Sequence, residues 1–241
     1  MLQAATWGAI AGSAILLGAL LGIYTKIPRK LTGMIMAFGT GVLIGAASFE
    51  LLSEAVTESG LFITSIGFLG GSLLFTLSEV LISKKGGNQR KRSRPNPENH
   101  SGLTIFVGTI IDAIPESIII GVSLIAHGTV SYLMVIAVFI SNFPEGLSST
   151  VGLLKDGYKK KTILLMWSFV LALSSLSSFL GFILLQESST IFISLIGAFA
   201  AGGIIAMTSS TMMPEAFEEG GAVVGLLASL GFLCSLMLSH F

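Results

Sequence analysis

Two short stretches, Asp112-Ala113-Ile114-Pro115-Glu116 and Ser141-Asn142-Phe143-Pro144-Glu145-Gly146, set a carboxylate beside a proline in the middle of long apolar runs. Charge at bilayer depth is costly and marks a pathway or a site. A proline there removes one helical hydrogen bond and releases the carbonyl four residues back, that of Ile111 or Ile140. Asp112 and Glu116 stand four apart on one helix face, and Asn142 and Glu145 three apart on another. Two facing helices of this kind would offer three carboxylates, an amide and two carbonyls, a hard, oxygen-rich cation site in outline.

Other residues could extend it. Ser141 is a neighbouring oxygen donor. Glu50, followed by Glu54 and Glu58, could begin an outer approach. Glu215, with Glu218 and Glu219, could receive a cation at the inner exit. The serines Ser168, Ser174, Ser175, Ser177 and Ser178 make one helix polar; packing is the default reading and a water-lined face the alternative.

The elements that must position these residues are apolar blocks. The 241 residues are 52% hydrophobic and 11% charged, and the apolar residues run in blocks without alternation, the pattern of an all-α polytopic membrane protein. Eight segments reach about the 20 residues a spanning helix needs: 4–24, 32–52, 60–82, 102–126, 130–153, 162–185, 190–213 and 221–240. The start lacks the basic region of a cleavable signal peptide. A single transmembrane domain over 1–241 is expected, with one long connector, about 83–101, polar and basic and read as a flexible loop.

All 13 basic residues fall in three connectors: between segments one and two, three and four, and five and six. Eight spans put these on one side, which the positive-inside rule makes cytoplasmic, with both termini outside. Glu50 to Ala55 pairs with Thr211 to Ala216 as a weak internal repeat on oppositely running segments. That suggests a 3+2+3 inverted-repeat bundle around segments four and five.

These motifs resemble the ZIP (Zrt/Irt-like) divalent metal transporters. The fifth segment reads SNFPEG and the fourth DAIPES, against the family's HNxPEG and H-x-x-P-E types of signature. GVLIGAASFELLSEA from Gly41 and GGIIAMTSSTMMPEA from Gly202 resemble the second and seventh helices. The resemblance implies eight spans in a 3+2+3 bundle and transition-metal ligands on helices four and five. Carried over residue by residue, those are Glu116, Asn142 and Glu145, with Asp112 standing where histidine is usual. Ala113 replaces an asparagine, Ser141 a histidine or glutamine, and Ser175 lies near a helix-six glutamate of some members. One metal site is implied, not a two-metal centre. Loss of histidine moves the donor set toward oxygen, and so toward manganese, ferrous iron or broad specificity as well as zinc; a member that binds no metal stays open.

The expected function is therefore import of a divalent cation (zinc, iron or manganese class) across the plasma or inner membrane. The alternatives are a proton-linked or non-metal solute carrier of the same fold and a non-transporting member. The metal is cargo, and no resident cofactor is expected. Partners are the ion and membrane lipid, not nucleic acid, with a homodimer allowed. Enzyme classes find no support. Asp112 is the only aspartate within a segment, H-E-x-x-H is missing, and no histidine sits mid-span to serve a serine nucleophile. The single cysteine, Cys234, allows no internal disulfide.

Overall fold

A chain segment crossing hydrocarbon must satisfy its own backbone groups, which apolar blocks of this length do by coiling into helices. The computed structural model describes residues 2–82 and 101–240, and among these the regular structure is all helical. The basic stretch expected as a loop, 83–101, lies outside the described residues except for Ser101. The helices are α1 (Leu2–Tyr24), α2 (Arg29–Ala46), α3 (Ser53–Ile82), α4 (Ser101–His127), α5 (Tyr132–Lys155), α6 (Lys160–Leu185), α7 (Thr190–Met207), α8 (Met213–Gly220) and α9 (Val224–Leu238). Among the described residues six stretches are long and apolar enough to cross a membrane, and two of them run to 53 and 49 residues.

Each double-length stretch contains two of the expected segments, and helix continues where a connector was expected. In the first, a π-helical turn, Ala47–Leu52, leads from α2 into α3, and the backbone leaves the helical region only at Gly60 (φ 76, ψ 166). In the second, a π turn, Thr208–Met212, leads from α7 into α8, and the break comes at Gly221 (φ 75, ψ −157). A positive φ costs a glycine little, so both breaks fall where a side chain would be strained. In the second stretch Pro214 stands in the first turn of α8, where a missing N–H costs least, so the helix runs on to the glycine in both.

The two stretches match in register. Gly221 less Gly60 is 161 positions, and so are Glu215 less Glu54 and Gly202 less Gly41. A Cβ on Gly41 would collide with the Ala228 carbonyl of α9, and one on Gly202 with the Phe68 carbonyl of α3. Gly197 and Gly203, which the sequence pairs with the same glycine-rich pattern, have no such neighbour. They line cavities instead.

α5 packs against α1 and α2, and α4 against α6. On α6, the Ser178 hydroxyl donates to the Ala4 carbonyl at 2.8 Å and that of Ser175 to Ala5 at 2.9 Å. These serines tie α6 to α1. Trp167 is wholly buried, with its indole N–H on Thr150 Oγ1 at 2.8 Å.

Candidate functional site

α4 and α5 each bring one face of small and polar residues into the bundle. Thr109, Asp112 and Glu116 follow one another at three and four residues, so they share a face of α4. All are buried: Asp112 is 5% exposed and Glu116 3%. On α5, Asn142, Glu145 and Ser148 are spaced by three and are equally buried. The two faces meet at a hydrogen bond from Thr109 Oγ1 to Glu145 Oε1 at 3.0 Å. A hydroxyl bonded to a carboxylate holds it in place. The Glu145 carboxylate therefore lies beside the α4 face that carries Asp112 and Glu116.

Asp112 and Glu116 also share a cavity of about 80 Å3. α4 contributes Ile111 and Pro115 to its wall, α3 contributes Phe75 and Ser78, and α7 contributes Gly203 and Met207. Asn142 and Glu145 do not line it. The Ile140 carbonyl, released by Pro144, faces α2, lying 3.1 Å from where a Cβ on Gly39 would be. Ile111 lines the cavity, whereas the Ile140 carbonyl, expected to join the same site, lies against α2. Among the described residues no three histidine, cysteine, aspartate or glutamate side chains form a group that could hold a metal ion.

A second, smaller cavity of about 40 Å3 lies further along the same helices. Its wall uses 119–123 of α4 and 193–197 of α7, where the first uses 111–116 and 199–207. From Glu116 to Ser123 is ~10 Å along a helix. Glu50 and Glu54 line it, and Glu50 Oε2 accepts from the Ser131 hydroxyl. Ser131 is the N-cap of α5: its Oγ accepts from the Met134 N–H, while its own N–H donates to Ser123 Oγ. One serine thus joins the π turn after α2, the end of α4 and the start of α5.

Toward the other end of α5, Ser148 donates to Glu215 Oε1 at 2.5 Å. Of the further candidates, Glu50 and Glu215 are therefore both held by serines at or near the ends of α5. Ser141 bonds back to the Val138 carbonyl at 3.0 Å, and Ser175 is held by α1. Sequence reasoning passed over Thr109, Ser131 and Ser148. Thr109 and Ser148 carried a usable signal, a polar residue three positions from a candidate carboxylate on the same face. Ser131 precedes α5 and had only its capping chemistry to mark it.

The family model described as ZIP Zinc transporter matches residues 82–239. A curated Arabidopsis thaliana protein named "Putative zinc transporter" is 26% identical over 206 residues, which cover 84% of this chain and 33% of that protein. The chain spans about a third of the length of this curated relative.

Proposed function

This chain belongs to the ZIP zinc transporter family, and on that footing we propose that it carries a divalent metal ion of the zinc, iron or manganese class into the cytoplasm. Asp112, Glu116, Asn142 and Glu145 bind the cation between α4 and α5. The observation that carries this reading is the Thr109–Glu145 hydrogen bond, which sets a buried carboxylate of α5 against the α4 face bearing Asp112 and Glu116. Oxygen donors of this kind suit hard to borderline divalent ions. Glu50 lies on the approach, one cavity away along α4, and Glu215 on the departure beside Ser148.

The carrier is a multi-pass protein of eight spans in a 3+2+3 inverted repeat. In support, α2 packs on α9 as α3 packs on α7, and α1 packs on α5 as α6 packs on α4. The π turns and positive-φ glycines recur at one offset. The basic connectors face the cytoplasm of a cell membrane, and both termini lie outside. Transport moves the halves about the carboxylates, as in other carriers built from repeats.

A second reading draws on one observation. Because no three-ligand group exists among the described residues, the carboxylates could serve as proton sites for another solute. Uptake of zinc, ferrous iron and manganese into proteoliposomes holding the full chain separates the two. Glu145→Gln and Glu116→Gln should each abolish most metal uptake. Metal uptake equal to wild type in both variants overturns the metal reading.

A further inference from the structure

The cavity that Asp112 and Glu116 share has a sulfur-bearing side chain in its wall, Met207 of α7. Ala200, Gly203, Ile204 and Met207 recur at helical intervals and turn one face of α7 toward the cavity. Residues 111–116 of α4 meet 199–207 of α7 here, and 119–123 meet 193–197 at the second cavity, so the two helices run in opposite senses. Met207 therefore stands at the Asp112 end of the cavity, and Phe199 and Ala200 at the Glu116 end. Met207 is 3% exposed. A helical side chain leans over the turn before its own Cα, which for Met207 is the turn of Gly203. That turn is open, since a Cβ on Gly203 would find nothing nearer than the Gly71 carbonyl at 4.0 Å. The thioether thus has room beside the carboxylates.

The other side-chain donors on this wall are oxygens, those of Ser78, Asp112 and Glu116. Oxygen suits hard ions, whereas a polarisable thioether suits soft ones. Methionine is unbranched and flexible, so its sulfur can close on an ion without a shift of α7. Packing alone accounts for a buried methionine such as Met36 or Met212, which line neither carboxylate cavity. Met134 is different: it is wholly buried and lines the second cavity beside Glu50 and Glu54. A pair of carboxylates with a buried thioether is therefore found at both cavities along α4.

We propose that Met207 is a further ligand of the transported ion, its sulfur joining the oxygens of Asp112 and Glu116, and that it biases the carrier toward softer divalent ions. This rests on the metal reading above and adds to it the residue that ranks the ions. A hard ion such as manganese takes the carboxylates and water and gains little from sulfur. A soft ion such as cadmium gains a bond, and zinc lies between them.

Calorimetric titration of the purified full chain with cadmium and with manganese tests this. Met207→Leu keeps volume and apolar character, which a packed core tolerates, and removes the sulfur. Cadmium affinity should fall about fivefold, the loss of a contact comparable with one hydrogen bond, while manganese affinity stays as in wild type. A packing role alone would weaken both ions alike. A second measurement leaves Met207 in place. Cadmium X-ray absorption on Cys234→Ser, which removes the one thiol of the chain, should show sulfur among the ion's neighbours. Should Met207→Leu not fold, that spectrum decides. Binding of neither ion by wild type overturns the metal reading and this inference with it. An equal cadmium-to-manganese ratio in wild type and Met207→Leu, or a cadmium shell of oxygen alone, overturns the role of Met207 and leaves the metal reading standing.

Discussion

The Thr109 hydroxyl donates to Glu145 Oε1 between α4 and α5, at 3.0 Å and out of reach of solvent. A buried hydrogen bond to a carboxylate is worth about 1.5–3 kcal/mol. Thr109→Val keeps the shape and removes the donor. Glu145 is then less firmly aimed, so metal affinity should fall about tenfold or more. Titrating metal into the two purified proteins checks this. Equal affinities would show that the bond is structural only.

Asp112 shares its cavity with Glu116, and in the proposed site protons and a divalent cation compete for the same oxygens. Metal binding should release protons, and affinity should fall as pH falls through the range in which these carboxyls protonate. Asp112→Asn removes one competing proton site. It should weaken binding and also flatten the dependence of affinity on pH. Metal titrations at several pH values read both effects, and an unchanged slope would remove Asp112 from the ligand set.

Glu50 lies one cavity away from Glu116 and is held by Ser131. If Glu50 acts on the approach, as proposed, removing its charge with Glu50→Gln should raise the KM for metal uptake a few-fold and leave the maximal rate nearly unchanged. Ser131→Ala should do the same and also cost about 1 kcal/mol of stability through loss of the α5 cap. Initial uptake rates over a range of metal concentrations and thermal unfolding separate the two effects.

Adjacent glycines of α7 give a contrast in packing. A Cβ on Gly202 collides with the Phe68 backbone, while one on Gly203 comes only to 4.0 Å of the Gly71 carbonyl. Gly202→Ala should destabilise the protein by about 1–3 kcal/mol through forced separation of α3 and α7. Gly203→Ala should be nearly neutral in stability. Thermal unfolding in detergent compares them, and equal midpoints would show that the close approach is not needed.

Much of this arrangement could be read from composition. Long apolar blocks announce helices because hydrocarbon leaves the backbone no other partner. Prolines beside Glu116 and Glu145 marked α4 and α5 because charge in such blocks is rare. The pairing of Glu54 with Glu215 was visible as a weak repeat, and the two breaks at Gly60 and Gly221 fall in the same register. What could not be read was either very local or very long-range. A π turn adds one residue to a helix and leaves no mark in composition. The bonds Ser131–Glu50 and Ser148–Glu215 join positions 81 and 67 apart, set by how helices lie against one another. What the Ile140 carbonyl faces depends on where α2 lies, which the α5 sequence does not mention.

Each π turn acts as a change of phase in an otherwise continuous rod. One residue advances a helix by ~100°, so the extra residue in Ala47–Leu52 decides which compass bearing Glu54 takes relative to Glu50 without interrupting the helix. Deleting a single residue there would leave length, hydropathy and charge almost untouched, yet turn everything as far as Gly60 by about a quarter-turn and swing Glu54 away from the cavity it lines. The turn at Thr208–Met212 holds the bearing of Glu215 toward Ser148 in the same way. The two acidic ends are thus aimed by counting, and an indel in either turn would mis-aim its carboxylate while leaving the helix intact.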